Sequence, residues 1–452
     1  MSEAIKRDEF LEKHQKIDVE IGVNSVIATC DPKALISGPL NGAAILIKDN
    51  IEAIGLPGSA GSLALIDSPA KRDAKLVTNL RNAGGDIVGS TNLSEWANLR
   101  STQSTSGWSA VGGLTNNPWR LSHNVGGSSS GSGAAVAAGL VTLAIGTETD
   151  GSIICPAALN GVVGLKPTVG SVSTHGVVPI SSTQDTPGPI AVNVEWAARG
   201  FDALSGQSVF SKLSNAQAIV SKLRVGVAEK WLTEDDKTDG VFEQAIAVVN
   251  KLVAKVSSSN IPELTEEASL NEYGILLNEI KDEMALYLAE RPGSHVVKNL
   301  EDIIKFNLEN AELEMAYFGQ EHFERAVASP GKKSDEYLKA KADGQDWARR
   351  ICFQTALENH DLFIAPAYVP AWENKLGSPD NYGGGKVSSP AAVAGYPLLC
   401  IPMGLVDGMP VGLVIAGNAN SETDLLALGL MLEQNLGCRP EDGFKPAFIK
   451  GN

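Results

Sequence analysis

Aromatic residues, basic residues, cysteines and long apolar runs are all scarce in this chain of 452 residues. Phe, Trp and Tyr fill 6% of positions, so the core has to be built from aliphatic and small residues. Hydrophobic residues reach 43%, enough for a large core, which excludes general disorder. Lysine and arginine number 37 against 53 acidic residues, a net charge of −16. A surface of that sign repels phosphate backbones and no basic patch reverses it, so no nucleic-acid partner is expected. The five cysteines (Cys30, Cys155, Cys352, Cys400 and Cys438) are odd in number and scattered, with no C-x-x-C pair and no histidine at ligand spacing. That pattern argues against a disulfide framework or a structural zinc, and neither a metal nor another cofactor is expected. No apolar run approaches the roughly 18–20 residues of a membrane helix, and the opening MSEAIKRDEF has no secretory apolar region. A reduced, cytoplasmic protein without membrane contact is the expectation.

Charge is missing from one stretch and glycine from another. Between Gly107 and Gly176, 14 of 70 residues are glycine, and only Arg120, Glu148, Asp150 and Lys166 are charged. Between Trp231 and Arg350 the pattern inverts, with 38 of 120 residues charged and six glycines. Short apolar runs bounded by turn residues predict strands at 43–47 (AAILI), 86–89, 141–145, 362–367 (LFIAPA) and 398–402. Helices are predicted within the first twenty residues, at 74–83 before Gly84-Gly85, and at 132–140, where Ala and Gly let another backbone pack close. Strand and helix in alternation predict an α/β fold with helices on both faces of a sheet. Apolar residues at 242, 245, 246, 249, 252, 253 and 256 mark one face of a helix over 241–256. Charged amphipathic helices continue over 265–350. The expected organisation is one domain, 1–452, with a helical cover inserted at about 230–350.

The run at 126–133 (GGSSSGSG) admits several readings. A solvated linker would not be followed by the apolar, structure-forming 134–145. A phosphate loop would end in Lys-Ser/Thr, which is absent. Residues 127–131 match the G-x-S-x-G nucleophile elbow, but that chemistry needs a histidine base. The candidate, His360 beside Asp361, reads more simply as a core or loop residue. A lysine can replace histidine if burial makes its ammonium form costly. Lys48 ends a predicted buried strand, and the hydroxyl-rich loop offers it polar partners. In 146–152 (GTETDGS) a strand runs into turn residues whose consecutive amides form an anion-holding nest, and Ser152 opens the next segment.

Together these elements resemble the amidase signature hydrolases. The resemblance rests on 38–50 (GPLNGAAILIKDN), 126–131 (GGSSSG), 146–156 (GTETDGSIICP), 161–168 (GVVGLKPT), 394–402 (AGYPLLCIP) and 408–412 (GMPVG), with Ser128 and Ser152 24 positions apart. Segments 92–100 (NLSEWANLR), 104–113 (STSGWSAVGG) and 179–189 (PISSTQDTPGP) look most like bacterial peptide amidases. The resemblance implies an α/β fold with a large mixed central β-sheet and helices on both faces. It implies Ser152 as nucleophile, Ser128 as a relaying serine joined to Gly127 by a cis peptide, and Lys48 as neutral base and later proton donor. The amides of Thr149, Asp150, Gly151 and Ser152 would form the oxyanion hole. The implied reaction is hydrolysis of a linear carboxamide, from a small molecule or the C-terminus of a peptide, to carboxylate and ammonia through an acyl-enzyme. The alternative is the glutaminase subunit of a tRNA-dependent amidotransferase, whose companion subunits would carry the RNA contacts.

Several neighbours have plainer expected roles. Lys166 reads as structural, Cys155 as core packing, Ser129 and Ser130 as hydrogen-bonding loop residues, and Trp108 and Tyr396 as core aromatics. Specificity is expected from the cover and from loops at 100–115 and 370–390, the latter a rim carrying Pro379 and glycines 383–385. Against the family pattern, Asn41 stands for His, Glu148 for Asp, Asp150 for Gly, and Ile154 for Arg. Loss of that arginine predicts a more apolar or differently paired subsite.

Overall fold

A computed structural model of the chain describes residues 3–293 and 295–449. Its strands, in chain order, begin with Val26–Thr29 (β1), Ala44–Lys48 (β2), Asp86–Thr91 (β3), Trp108–Ser109 (β4), Gly113–Leu114 (β5), Leu143–Glu148 (β6) and Val163–Lys166 (β7). They continue with Thr186–Ala191 (β8), Arg224–Val227 (β9), Lys255–Ser258 (β10), Leu362–Pro366 (β11), Leu398–Val406 (β12) and Met409–Gly417 (β13). Strands β4 and β5 make a small hairpin, and the other eleven form one sheet in the order β1-β3-β2-β6-β8-β7-β12-β13-β11-β9-β10. The sheet is mixed: β2 is parallel to β3 and β6, and β9 to β10 and β11, while the strands from β6 to β11 pair antiparallel. The expected large mixed sheet is the one the chain forms.

Strand β2 shows why its sequence reads as an unbroken apolar run. Ile45 and Ile47 point into one core, Ala44 and Leu46 into the other, because helices cover both faces. Lys75–Asn82, Val194–Ser205, Asp236–Leu252 and Glu422–Leu436 lie on the first face. Ser130–Ala137, Ile154–Asn160 and Ser388–Ala394 lie on the second. The helix Ser130–Ala137 approaches the end of β3 so closely that a Cβ on Gly131 would strike the backbone of Asn92. That is the close packing its small residues suggest.

The cover is shorter than expected. Helix Asp236–Leu252 buries Phe242, Ala245 and Val249 in the first core and ends when Val253 turns extended. Lys255–Ser258 then pairs with β9 as an edge strand, so Val253 and Val256 follow the helical spacing without being helical. Segment 236–258 therefore belongs to the sheet, and the cover starts at Glu266. Its helices include Glu266–Glu290, Leu300–Glu309 and Asp335–Asp346, each opened by a side-chain cap (Thr265, Asn299, Ser334) and an acidic first turn. Ile280, Met284, Ile303 and Phe323 of the cover pack against Leu65, Trp96, Val178 and Ile180 of the body. Buried polar contacts fasten the same seam. Arg291 donates to the carbonyls of Gly58 (2.7 Å) and Ser68 (2.7 Å), and Glu314 accepts from the Leu63 amide (2.6 Å). No helix among the described residues is long and apolar enough to cross a membrane.

Candidate active site

Three chain segments meet at the ends of two interior strands of the sheet. Parallel neighbours β2 and β6 end side by side, which sets Lys48 next to Thr147. The loop entering helix Ser130–Ala137 brings Ser128 to the same place, and the Gly127–Ser128 peptide is cis. Lys48 is fully buried, and its Nζ donates to Ser128 Oγ (2.7 Å), to Thr147 Oγ1 (3.0 Å) and to the Thr147 carbonyl (3.3 Å). Ser128 Oγ in turn donates to Ser152 Oγ at 3.1 Å. Burial pulls the Lys48 ammonium down to about 7, with Asp185 and Glu148 opposing part of that shift. A lysine that gives up its proton near pH 7, touching one hydroxyl that touches another, can in its neutral form draw a proton inward from the outer oxygen.

The turn after β6 is pinned from both sides. Glu148 Oε2 accepts from the amides of Ile153 (2.6 Å) and Ile154 (3.0 Å), and the Gly151 amide also interacts with this carboxylate. Burial pushes the Glu148 carboxyl up, and Lys166 holds it back. On the other side Thr149 donates to Asp185 (2.6 Å), whose second oxygen accepts from Ile180 (2.8 Å) and Ser181 (3.0 Å). Burial pushes Asp185 up to about 7. Gly151, at φ +73°, lets the chain reverse so that Ser152 faces a cavity of about 380 Å³. Asp150, Gly151, Cys155, Tyr368 and Tyr382 line that cavity with Ser152. Ala97 and Asn98 form part of another wall, in a left-handed turn with φ of 55° and 70°.

Lys48, Ser128 and Ser152, singled out in the sequence, are thus in contact, and Asp150 and Gly151 border the cavity. Ser129 exchanges hydrogen bonds with Thr147 (3.0 and 3.2 Å), and Ser130 donates to the Gly126 carbonyl (2.7 Å). Lys166 donates to the Tyr396 carbonyl (2.8 Å), a structural contact beside the pinned turn. His360 donates through Nδ1 to the Ala356 carbonyl (2.9 Å) and accepts from Ser257 (2.8 Å), so the elbow reading has no base. Cys155 packs in the core as expected and also walls the cavity, with its thiol pushed up by burial.

The aromatic walls, Tyr368 and Tyr382, carry no motif spacing and were not foreseen. Trp108 packs instead on Tyr317 and Phe318. Loop 370–390 supplies a wall of the cavity, and Ser106 of loop 100–115 braces it through Tyr382 (2.7 Å) and Asp380 (3.1 Å). Asp185 was also missed, although it lies within the TQDTPGP run.

The amidase family model matches residues 28–426. The crystal structure of native peptide amidase from Stenotrophomonas maltophilia is 38% identical, with a TM-score of 0.87 over 95% of this chain and 93% of that one. A peptide amidase solved with the competitive inhibitor chymostatin is also 38% identical, with a TM-score of 0.89 over 95% and 94%. A glutamyl-tRNA(Gln) amidotransferase subunit from Symbiobacterium thermophilum is 34% identical over 414 residues, 86% of this chain and 82% of the relative. The chain belongs to the amidase family, the amidase-signature hydrolases, and is an amide-hydrolysing enzyme.

Proposed function

We propose that the chain hydrolyses the C-terminal carboxamide of short peptides to carboxylate and ammonia, with Ser152 as nucleophile, Ser128 as relay and Lys48 as base. The run of contacts from buried Lys48 through Ser128 to Ser152, 2.7 and 3.1 Å, carries this reading. Neutral Lys48 takes the Ser128 proton as Ser128 takes that of Ser152. Ser152 Oγ bonds to the amide carbon, and the carbonyl electron pair moves onto oxygen. The amides of Thr149, Asp150, Gly151 and Ser152 receive that charge, Gly151 sharing its donor with Glu148; one such donor contributes about 10²–10³ in rate. When the intermediate collapses, the C–N bond breaks and Lys48 returns its proton through Ser128 to the nitrogen, which leaves as ammonia. Water then attacks the Ser152 ester by the same relay and frees the acid. Likeness to peptide amidases at 38% identity supports the peptide substrate. A cytoplasmic location and the lack of a nucleic-acid partner belong to the same proposal, supported by five unpaired cysteines and the charge of −16.

Likeness to one component of an amidotransferase supports a second reading, glutaminase within a larger assembly. Ammonia release by the purified chain alone separates them. Glycyl-leucinamide should be hydrolysed at least about 100-fold faster than free glutamine, a gap of some 2.7 kcal/mol in transition-state binding. Turnover of glutamine with glycyl-leucinamide inert would overturn the peptide reading.

A further inference from the structure

The cavity over Ser152 holds a carboxyl group that the relay does not use. Asp150 lends its backbone to the pinned turn while its side chain is exposed to the cavity, and no hydrogen-bond or ion-pair partner meets it among the described residues. Its surroundings are mostly of its own sign. Glu272, from the cover helix, sits behind the cavity wall, held by Ser389 and by Gln184 (2.9 Å), and Glu148 lies beneath the turn. Enclosure by protein, then repulsion from Glu272 and Glu148, pushes the Asp150 carboxyl well up, with Lys166 opposing. Lys166 is itself engaged by the Tyr396 carbonyl, and Lys386, which lines the cavity, is paired with Glu234 at 2.7 Å. Two rings wall the same space: Tyr368 and Tyr382, with centroids 6.1 Å apart. Ring faces attract cations as carboxylates do.

Resting on the amide-hydrolysis reading above, we infer that this cavity selects amides bearing an ammonium group near the scissile carbonyl, with the Asp150 carboxylate as counter-ion. Amino-acid amides and short peptide amides with a free amino terminus form that class. A bound ammonium relieves the repulsion between Asp150 and Glu272, whereas an anionic acyl chain adds to it. The overall charge of −16 steers cations toward the chain and anions away. This gives the aspartate at a position where the family often has glycine a role in choosing the substrate.

The test compares ammonia release from glycyl-leucinamide, its N-acetyl derivative and its N-succinyl derivative at low salt: cationic, neutral and anionic versions of one amide. The cationic amide should exceed the neutral one by about tenfold in kcat/KM, with the anionic one lower again, and the spread should narrow in about 0.5 M salt. In Asp150→Asn the ratio of cationic to neutral rates should fall toward one, and Glu272→Gln should lower it by less. Equal wild-type rates on all three, a preference for the succinyl amide, or an unchanged ratio in Asp150→Asn would overturn the inference and leave amide hydrolysis standing. No ammonia from any of the three would overturn the peptide-amide reading itself.

Discussion

Among the described residues, no carboxylate is in contact with Lys48. Its polar partners are two hydroxyls and a carbonyl, and burial brings its pKa down to about 7. The active form in the proposed relay is the neutral amine. kcat/KM should therefore rise with pH through about 7 and level off above it, measured on an amide whose own charge is constant across that range. A profile flat from about pH 5 to 9 would remove Lys48 from the base role. The candidates Lys48, Ser128 and Ser152 were legible because each sits in a motif that carries the resemblance to the amidase signature hydrolases. Tyr368 and Tyr382 were not, because loops brought together by the fold wall the cavity, and nothing in their spacing marks them.

At the scale of elements, strands were legible where both faces are buried. β2 and β11 appear close to the expected bounds, since a doubly covered strand must be apolar throughout. β8 was missed: Thr186–Ala191 (TPGPIA) carries two prolines and a glycine, and it is a strand because it pairs with β6 and β7. That pairing also carries β6 on to Glu148, beyond the apolar run. The seam between cover and body depends on buried charge that periodicity does not reveal. Arg100 is fully buried, 2.9 Å from Glu95 and 3.7 Å from Glu314, with its guanidinium 4.3 Å from the centre of the Phe318 ring. Arg100→Ala would leave the buried Glu95–Glu314 pair without its cation, a loss of about 3–5 kcal/mol that denaturant unfolding measures. A loss below about 1 kcal/mol would mean that water or rearrangement already serves those carboxylates.

Across the whole molecule, the uneven composition corresponds to a division of labour. The glycine-rich, charge-poor stretch from Gly107 to Gly176 supplies β6, β7, two small-residue helices and both serines, close to the middle of the sheet. The charged stretch divides: 236–258 completes the sheet edge, and the helices from Glu266 onward cover the body. Local periodicity could not separate those two fates, because an amphipathic helix looks alike whichever surface it packs on. The proposed mechanism stands or falls on a covalent ester at Ser152. Mixing the chain with an activated ester of a short peptide, quenching in acid and mapping the adduct by mass spectrometry should find the acyl group on Ser152. Ser152→Ala should lose both the adduct and ammonia release from glycyl-leucinamide. An adduct on Cys155 or Ser128 instead, or undiminished ammonia release by Ser152→Ala, would contradict the mechanism.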